Sequence, residues 1–243
     1  MSVSARAASR AYDAAAEGAA VRMTVAGSEL RFRPSGALWL QAERALVAAD
    51  LHLEKGSAYA ARGQLLPPYD TRDTLARLAA EVEALSPRLV ILLGDAFHDG
   101  GAEERLSSED ATAIRALAGG RTLVWVTGNH DPLPPQGLPG ETAAELRLAG
   151  LDLRHEPAPA FDGGEAAGHL HPCARIAANG RSVRRRCFVT DGERLVLPAF
   201  GAYAGGLNIR DEAFKGLFAR PPLAIALGGR RAHAVGWWST TRD

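Results

Sequence analysis

Four stretches of the sequence share one layout, and it limits the fold more than any other feature. RALVAADLHL (44–53), RLVILLGDAFHD (88–99), TLVWVTGNHD (122–131) and LDLRHEP (151–157) each begin with apolar or β-branched residues and finish in polar ones. Short apolar runs of this kind read as buried strands. Asp50 and His52 close the first run, Asp95 the second, Asn129 and His130 the third and His155 the fourth, while His169 and His171 follow in the short segment GHLHP. In an open α/β sheet, ligands bind beyond the carboxyl ends of the strands, where loops carry groups from several strands into one crevice.

The segments between the runs predict how the strands connect. DTRDTLARLAAEVEALSP (70–87) repeats Leu75, Leu78, Ala79, Val82 and Leu85 at helical spacing and stops at Pro87. SSEDATAIRALAGG (107–120) is acidic in its first turn and ends in Gly119-Gly120. ETAAELRLAG (141–150) predicts a third helix closed by Gly150. Strands alternating with helices imply βαβ crossovers and a largely parallel sheet, an α/β fold. Beyond residue 160 the pattern changes to short β-like runs joined by Gly, Pro and Asp-Gly turns, with a hairpin expected about Asp191-Gly192. Trp237-Trp238 reads as the packed part of a terminal strand, with stacking on nucleobases as the alternative.

With 243 residues and 47% hydrophobic content, the chain can bury a substantial core without a second domain. Residues 21–243 read as a single domain and residues 1–20, rich in Ala and Arg, as an N-terminal tail without the pattern of a secretory signal. No apolar run approaches the ~20 residues of a membrane span. Cys173 and Cys187, 14 apart, fit neither a zinc pair nor a disulfide framework, so a reducing cytoplasmic location is expected. Formal charge is zero but unevenly spread: residues 1–171 carry 16 Lys/Arg against 23 Asp/Glu, and residues 172–243 carry 12 against 5. The basic end raises the prospect of a nucleic-acid partner.

The polar strand ends have a chemical preference. Imidazole, carboxylate and carboxamide donors without thiolate suit Mn²⁺, Fe²⁺, Zn²⁺ or Mg²⁺, and there are too many here for one ion. Two ions side by side need a bridging carboxylate, and Asp95 is the natural choice because Gly94 before it leaves room for close approach.

Taken in order, Asp50-x-His52, Gly94-Asp95, Gly128-Asn129-His130-Asp131, the isolated His155 and Gly168-His169-x-His171 resemble the motifs of the calcineurin-like metallophosphoesterases. ADLHLEKGSAYAARGQLLPPYDTRDTL, AGHLHP and LPAFGAYAGG are further similar to the DNA-ligase-associated metallophosphoesterases, the PdeM group. This second resemblance extends from about residue 25 to 238. It implies a β-sandwich of two mixed sheets flanked by helices, and an endonuclease or phosphodiesterase acting on DNA in a damage response. An ATP-dependent DNA ligase and a helicase or exonuclease would be its functional partners. Two divalent ions, Mn²⁺ foremost, are implied: one on Asp50, His52 and His171, the other on Asn129, His155 and His169, with Asp95 bridging. Their shared hydroxide would attack phosphorus in line. His130 would stabilise the transition state or protonate the leaving oxygen, oriented by Asp131 accepting a ring N–H.

Other residues admit two readings. Lys55, close behind the first donors, could meet a substrate phosphate or stay solvated. Arg184, Arg185 and Arg186 could track phosphates together with Arg230-Arg231, or form a solvated face. His98 and His233 read as structural, although His98, three residues beyond Asp95, could instead support the donors; Asp99 and Asp131 could serve the site or merely cap or turn the chain. A small-molecule phosphodiesterase or phosphatase, and a scaffold of the same fold without catalysis, are the competing functions. An intact Gly128-Asn129-His130-Asp131 speaks against the scaffold.

Overall fold

The computed structural model describes residues 19–243 apart from 134 and 179. Of the expected tail, residues 1–18 therefore lie outside the described residues.

Two sheets form a sandwich. The first runs in sequence order: β1 (Val21–Val25), β2 (Ser28–Phe32), β3 (Leu38–Leu40), β4 (Ala45–Ala49), β5 (Leu89–Leu93), β6 (Thr122–Val126) and β7 (Glu141–Ala143). It is an antiparallel meander as far as β4 and parallel from β4 to β7. Helices α1 (Lys55–Ala60) and α2 (Asp70–Leu85) connect β4 to β5, and α3 (Ala102–Arg105) and α4 (Ser108–Ala118) connect β5 to β6. Both long helices stand where their apolar spacing put them. Ser107 caps α4 by accepting the Asp110 N–H at 3.0 Å.

The second sheet comprises β8 (Glu145–Leu148), β9 (Leu151–Arg154), β10 (Gly164–Ala167), β11 (Pro172–Ala178), β12 (Arg181–Thr190), β13 (Arg194–Val196), β14 (Leu207–Asn208), β15 (Leu223–Leu227), β16 (Ala232–Gly236) and β17 (Thr240–Thr241). The hairpin at Asp191-Gly192 forms as expected, pairing Thr190 with Leu195. Two expectations fail. Residues 141–150 make β7 and β8 instead of a helix: Glu145 and Arg147 alternate outward from half-buried Leu146 and Leu148, and β-sheet pairing with Arg154 and Asp152 overrides the helical propensity of the segment. The fourth strand, β9, belongs to the second sheet, antiparallel to β8 and parallel to β10.

Strict alternation explains the uninterrupted apolar runs. Ala45, Val47, Ala49, Ile91, Leu93, Val124 and Val126 face the second sheet, where they meet Leu151, Leu153, Ala166, Phe188, Leu195 and Ile225. Their neighbours Leu46, Ala48, Val90, Leu92, Leu123 and Trp125 face Leu75, Leu78 and Val82 of α2 and Ile114 and Leu117 of α4. A strand buried on both faces has no polar position to spare except at its end, so the polar groups collect there. Among the described residues, no helix is long and apolar enough to cross a membrane.

Candidate metal centre

The chain beyond β4 and the chain beyond β5 leave the first sheet side by side. Asp50 N–H donates to the Gly94 carbonyl, His52 N–H to that of Asp95, Leu53 N–H to that of Ala96, and His98 N–H returns to Leu53. This paired exit holds unusual torsions: Asp50, His52, Asp95, His169 and His171 all have positive φ, between 45° and 69°. The left-handed region costs a non-glycine residue of order 1–3 kcal/mol. It turns alternate side chains of Asp50-Leu51-His52 and of His169-Leu170-His171 toward one crevice, while Leu51 packs into the helix-side core.

Two glycines let the donors crowd together. A Cβ on Gly94, itself at φ +72°, would lie 2.2 Å from the His155 ring, and one on Gly128 would lie 2.2 Å from Asp95 Oδ1. The His155 imidazole therefore rests directly on the Gly94 backbone. The second sheet is drawn in as well, because the Asp50 carboxylate accepts the backbone N–H of His169 at 3.0 and 3.1 Å.

The donors fall into two groups. In one, Asn129 Oδ1 lies 2.8 Å from His155 Nε2 and 2.9 Å from His169 Nδ1, and those two nitrogens are 3.2 Å apart. In the other, His52 Nε2 and His171 Nε2 are 3.2 Å apart, and His171 Nε2 is 3.4 Å from Asp50 Oδ1. Asp95 Oδ2 faces both, 3.4 Å from His155 Nε2 and 3.9 Å from His52 Nε2, while Asp95 Oδ1 accepts the His130 N–H at 2.9 Å. Asp50, His52, Asp95 and His155 form a buried floor, His169 and His171 are half-buried, and Asn129 and His130 stand exposed on the rim.

This convergence fits divalent cations. Separations near 3 Å are the edges of a coordination shell with bonds of ~2.0–2.2 Å, and lone pairs this close repel unless a positive charge lies between them. The Nδ1 atoms of His52 and His155 are buried without a hydrogen-bond partner. Burial first, then the charges of His171 and His130, lower the His52 pKa to about 2. Its imidazole is thus neutral, the form that ligates.

His130 stands beside His52, its ring 5.1 Å from that of His52, and clusters with His52 and His98. Its Nδ1 lies 2.9 Å from the His98 carbonyl oxygen, so Nδ1 carries the proton and Nε2 is left for other partners. The expected orienting role of Asp131 is not the one seen. Its carboxylate accepts backbone N–H groups of Phe97 (3.0 Å) and Gly128 (3.1 Å), tying the exits of β5 and β6 together. Burial raises its pKa to about 6; the Asp95 charge adds to the rise and the backbone N–H bonds oppose it.

The sequence profile of the calcineurin-like phosphoesterases matches residues 43–190, which include every donor named above. The chain belongs to that family. The solved structure of nuclease MPE from Pseudomonas putida is similar to this phosphoesterase with a TM-score of 0.69 and 26% identity, covering 89% of this chain and 100% of that one. Yfce, a phosphoesterase from E. coli, gives a TM-score of 0.39 and 14% identity over 79% of this chain and 98% of its own. No curated protein matches the sequence.

The remaining residues divide. His98, read as structural, stands at the phosphoesterase site: its ring stacks on His130 at 5.3 Å and lies 5.5 Å from His52. Its place three residues after Asp95, on an exit already rich in donors, was the available signal. Burial and then the charge of Lys55 hold its pKa below the ordinary histidine value. Lys55, half-buried, begins α1 beside it. Asp99 is a turn residue, accepting from Gly101 N–H and Arg105. His233 is exposed on β16, paired with Ala226.

The arginine run is divided between the two faces of its strand. On β12, Arg184 and Arg186 share the face of Phe188, toward the sandwich interior, while Arg185 shares the opposite face with Cys187. Arg186 donates to the carbonyls of Ala199 and Gly201, and Arg184 to that of Gly206. Gly201 and Gly206 in turn donate to and pack on Asp50 and His171, respectively. Trp238 corrects another expectation: it is 83% exposed, because the chain turns into a short 3₁₀ segment at Trp237–Ser239 instead of continuing β16. Cys173 and Cys187 are buried free thiols.

Proposed function

We propose that this phosphoesterase is a metal-dependent nuclease hydrolysing phosphodiester bonds of DNA. The observation that carries the reading is the pair of donor groups sharing one oxygen of Asp95, with His130 beside them outside either group. Asp50, His52 and His171 would hold one divalent ion and Asn129, His155 and His169 the other. When bound, such ions supply a nucleophilic water near neutral pH and neutralise phosphate oxygens.

The protein's own groups do the rest. Asp95 sets the spacing of the two halves, and Asp131 fixes the loop that presents Asn129 and His130. His130, with Nδ1 held by the His98 carbonyl, offers Nε2 to the leaving oxygen or to a non-bridging oxygen. The His98 ring stacks on His130, and the Lys55 charge lies close enough to act on it, so both could meet a bound phosphate. The nuclease named among similar structures supports a nucleic-acid substrate. Mn²⁺ is the proposed metal and the cytoplasm the proposed compartment. A DNA ligase and a helicase or exonuclease of one repair system are the proposed functional partners.

The test is metal-depleted protein restored with Mn²⁺, Mg²⁺, Zn²⁺ or Fe²⁺ and given labelled linear, circular and single-stranded DNA beside a simple aryl phosphodiester. Metal-dependent cleavage of DNA, including circular single strands, is expected. Hydrolysis confined to the small ester would overturn the nuclease reading in favour of a small-molecule phosphoesterase.

A further inference from the structure

We propose that Tyr59 is a nucleobase subsite, stacking the base next to the scissile phosphate on the side faced by His130. The inference rests on the nuclease reading and adds to it a residue that recognises the base.

A chain of rings leads outward from the metal centre. His130 meets His52 edge to face at 5.1 Å, His98 stacks on His130 at 5.3 Å with 20° between planes, and Tyr59 follows His98 at 5.9 Å and 37°. Tyr59 is thus two ring-to-ring steps, 5.5 and 5.9 Å, from His52 by the shorter route through His98. A single nucleotide spans a similar distance from its phosphate to the outer face of its base.

Among the described residues, core packing does not account for the place of the Tyr59 ring. The buried face of α1 is made by Gly56 and Ala58, and Tyr59 is half-buried at the rim. It belongs to none of the apolar clusters among the described residues. Its surroundings are cationic: Lys55 Nζ lies 5.9 Å from the ring centroid, and the charges of Lys55 and Arg62 both reach His98. An aromatic face set among cations, two ring-to-ring steps from His52 and His130, is the kind of arrangement by which proteins hold single-stranded nucleic acid. Every base has a π-face, so the subsite favours nucleotides over simple esters without selecting one base.

The test is a double-mutant cycle between the residue and the base. Single-stranded oligonucleotides with one cleavable linkage carry either a normal base or an abasic residue on the leaving side of it. They are given to the metal-restored parent, Tyr59→Ala, Tyr59→Leu and Tyr59→Phe. KM and kcat are measured separately, and Kd is measured by fluorescence anisotropy on versions in which every linkage resists cleavage.

Stacking on an aromatic side chain is worth ~1–3 kcal/mol, so removing the base should raise the parent's KM and Kd roughly 5- to 150-fold with little change in kcat. Tyr59→Ala and Tyr59→Leu should show the raised values with the normal base and no further rise with the abasic one, and Tyr59→Phe should restore the parent. Leu keeps the bulk of the side chain, which guards against a misfolded Ala variant. Effects of base and residue that multiply independently, with oligonucleotides still cleaved, would overturn the subsite alone. A parent that hydrolyses an aryl diester but neither binds nor cleaves any oligonucleotide would overturn the subsite and the nuclease reading together.

Discussion

The two sheets reach the metal centre by different routes. The first sends three neighbouring parallel strands, buried on both faces, whose ends deliver Asp50, His52, Asp95 and Asn129. The second sends His155 from the end of β9, and His169 and His171 from the turn between β10 and β11. Each donor group takes members from both sheets. The centre therefore reports how the sheets pack on each other as much as how either is built. Asp95, from the first sheet, is the group on which the two halves converge.

The sharpest way to break this picture is Asp95→Ala. It should remove both ions and abolish hydrolysis, read as metal content by elemental analysis beside activity. A variant that keeps two metals and full activity would show that the halves do not depend on Asp95. His130→Ala separates chemistry from assembly. Metal content should be unchanged, and turnover should fall roughly 10²–10⁴-fold, the usual worth of a general acid. The loss should shrink for nitrophenyl esters, whose leaving group needs little protonation; equal losses for all esters would assign His130 to transition-state charge.

Gly94→Ala tests the contact between sheets directly. The added methyl meets the His155 ring at 2.2 Å on a residue with φ +72°, so the variant should be destabilised by ~1–3 kcal/mol. It should also lose affinity for the ion on the Asn129 side before the other, visible as a split in a metal titration. Unchanged thermal stability and simultaneous loss of both ions would contradict this.

The smallest effect separates the two faces of β12. If Arg184 meets DNA phosphate, Arg184→Ala should flatten the salt dependence of binding by about 0.7–0.9 of a slope unit, and Arg185→Ala should not alter it. Equal effects would restore a single arginine patch.

The contrast between the sheets also governs what the sequence disclosed. The double burial of β4, β5 and β6 leaves a plain signal, apolar runs that end abruptly in Asp, His or Asn, and the helices between them carry clear spacing. The seven side chains that converge here are therefore all named by the sequence as expected donors. Residues 141–150 depart from the expected helix because Glu, Ala and Leu favour helices only in isolation, and pairing with β6 and β9 makes strands of them. That β9 sits across the sandwich is a matter of long-range pairing that its short run cannot encode. For His98 the spacing from Asp95 leaves a structural and a supporting role both open, because a lone histidine shows no neighbours until His52 and His130 close around it. Adjacency in sequence to His130 suggests a contact for Asp131, whereas its carboxylate turns back to the main chain of Phe97 and Gly128.

The positive φ values at Asp50, His52, Asp95, His169 and His171 bear on any attempt to transplant this centre. A designer who copied the seven side chains onto an ordinary strand-to-helix loop would reproduce the composition and lose the aim, since each of these five would point along the loop. The recipient scaffold must supply left-handed torsions at five chosen positions and two facing backbones to hold them there, so the portable unit is a stretch of main chain, with the ligands as its last detail.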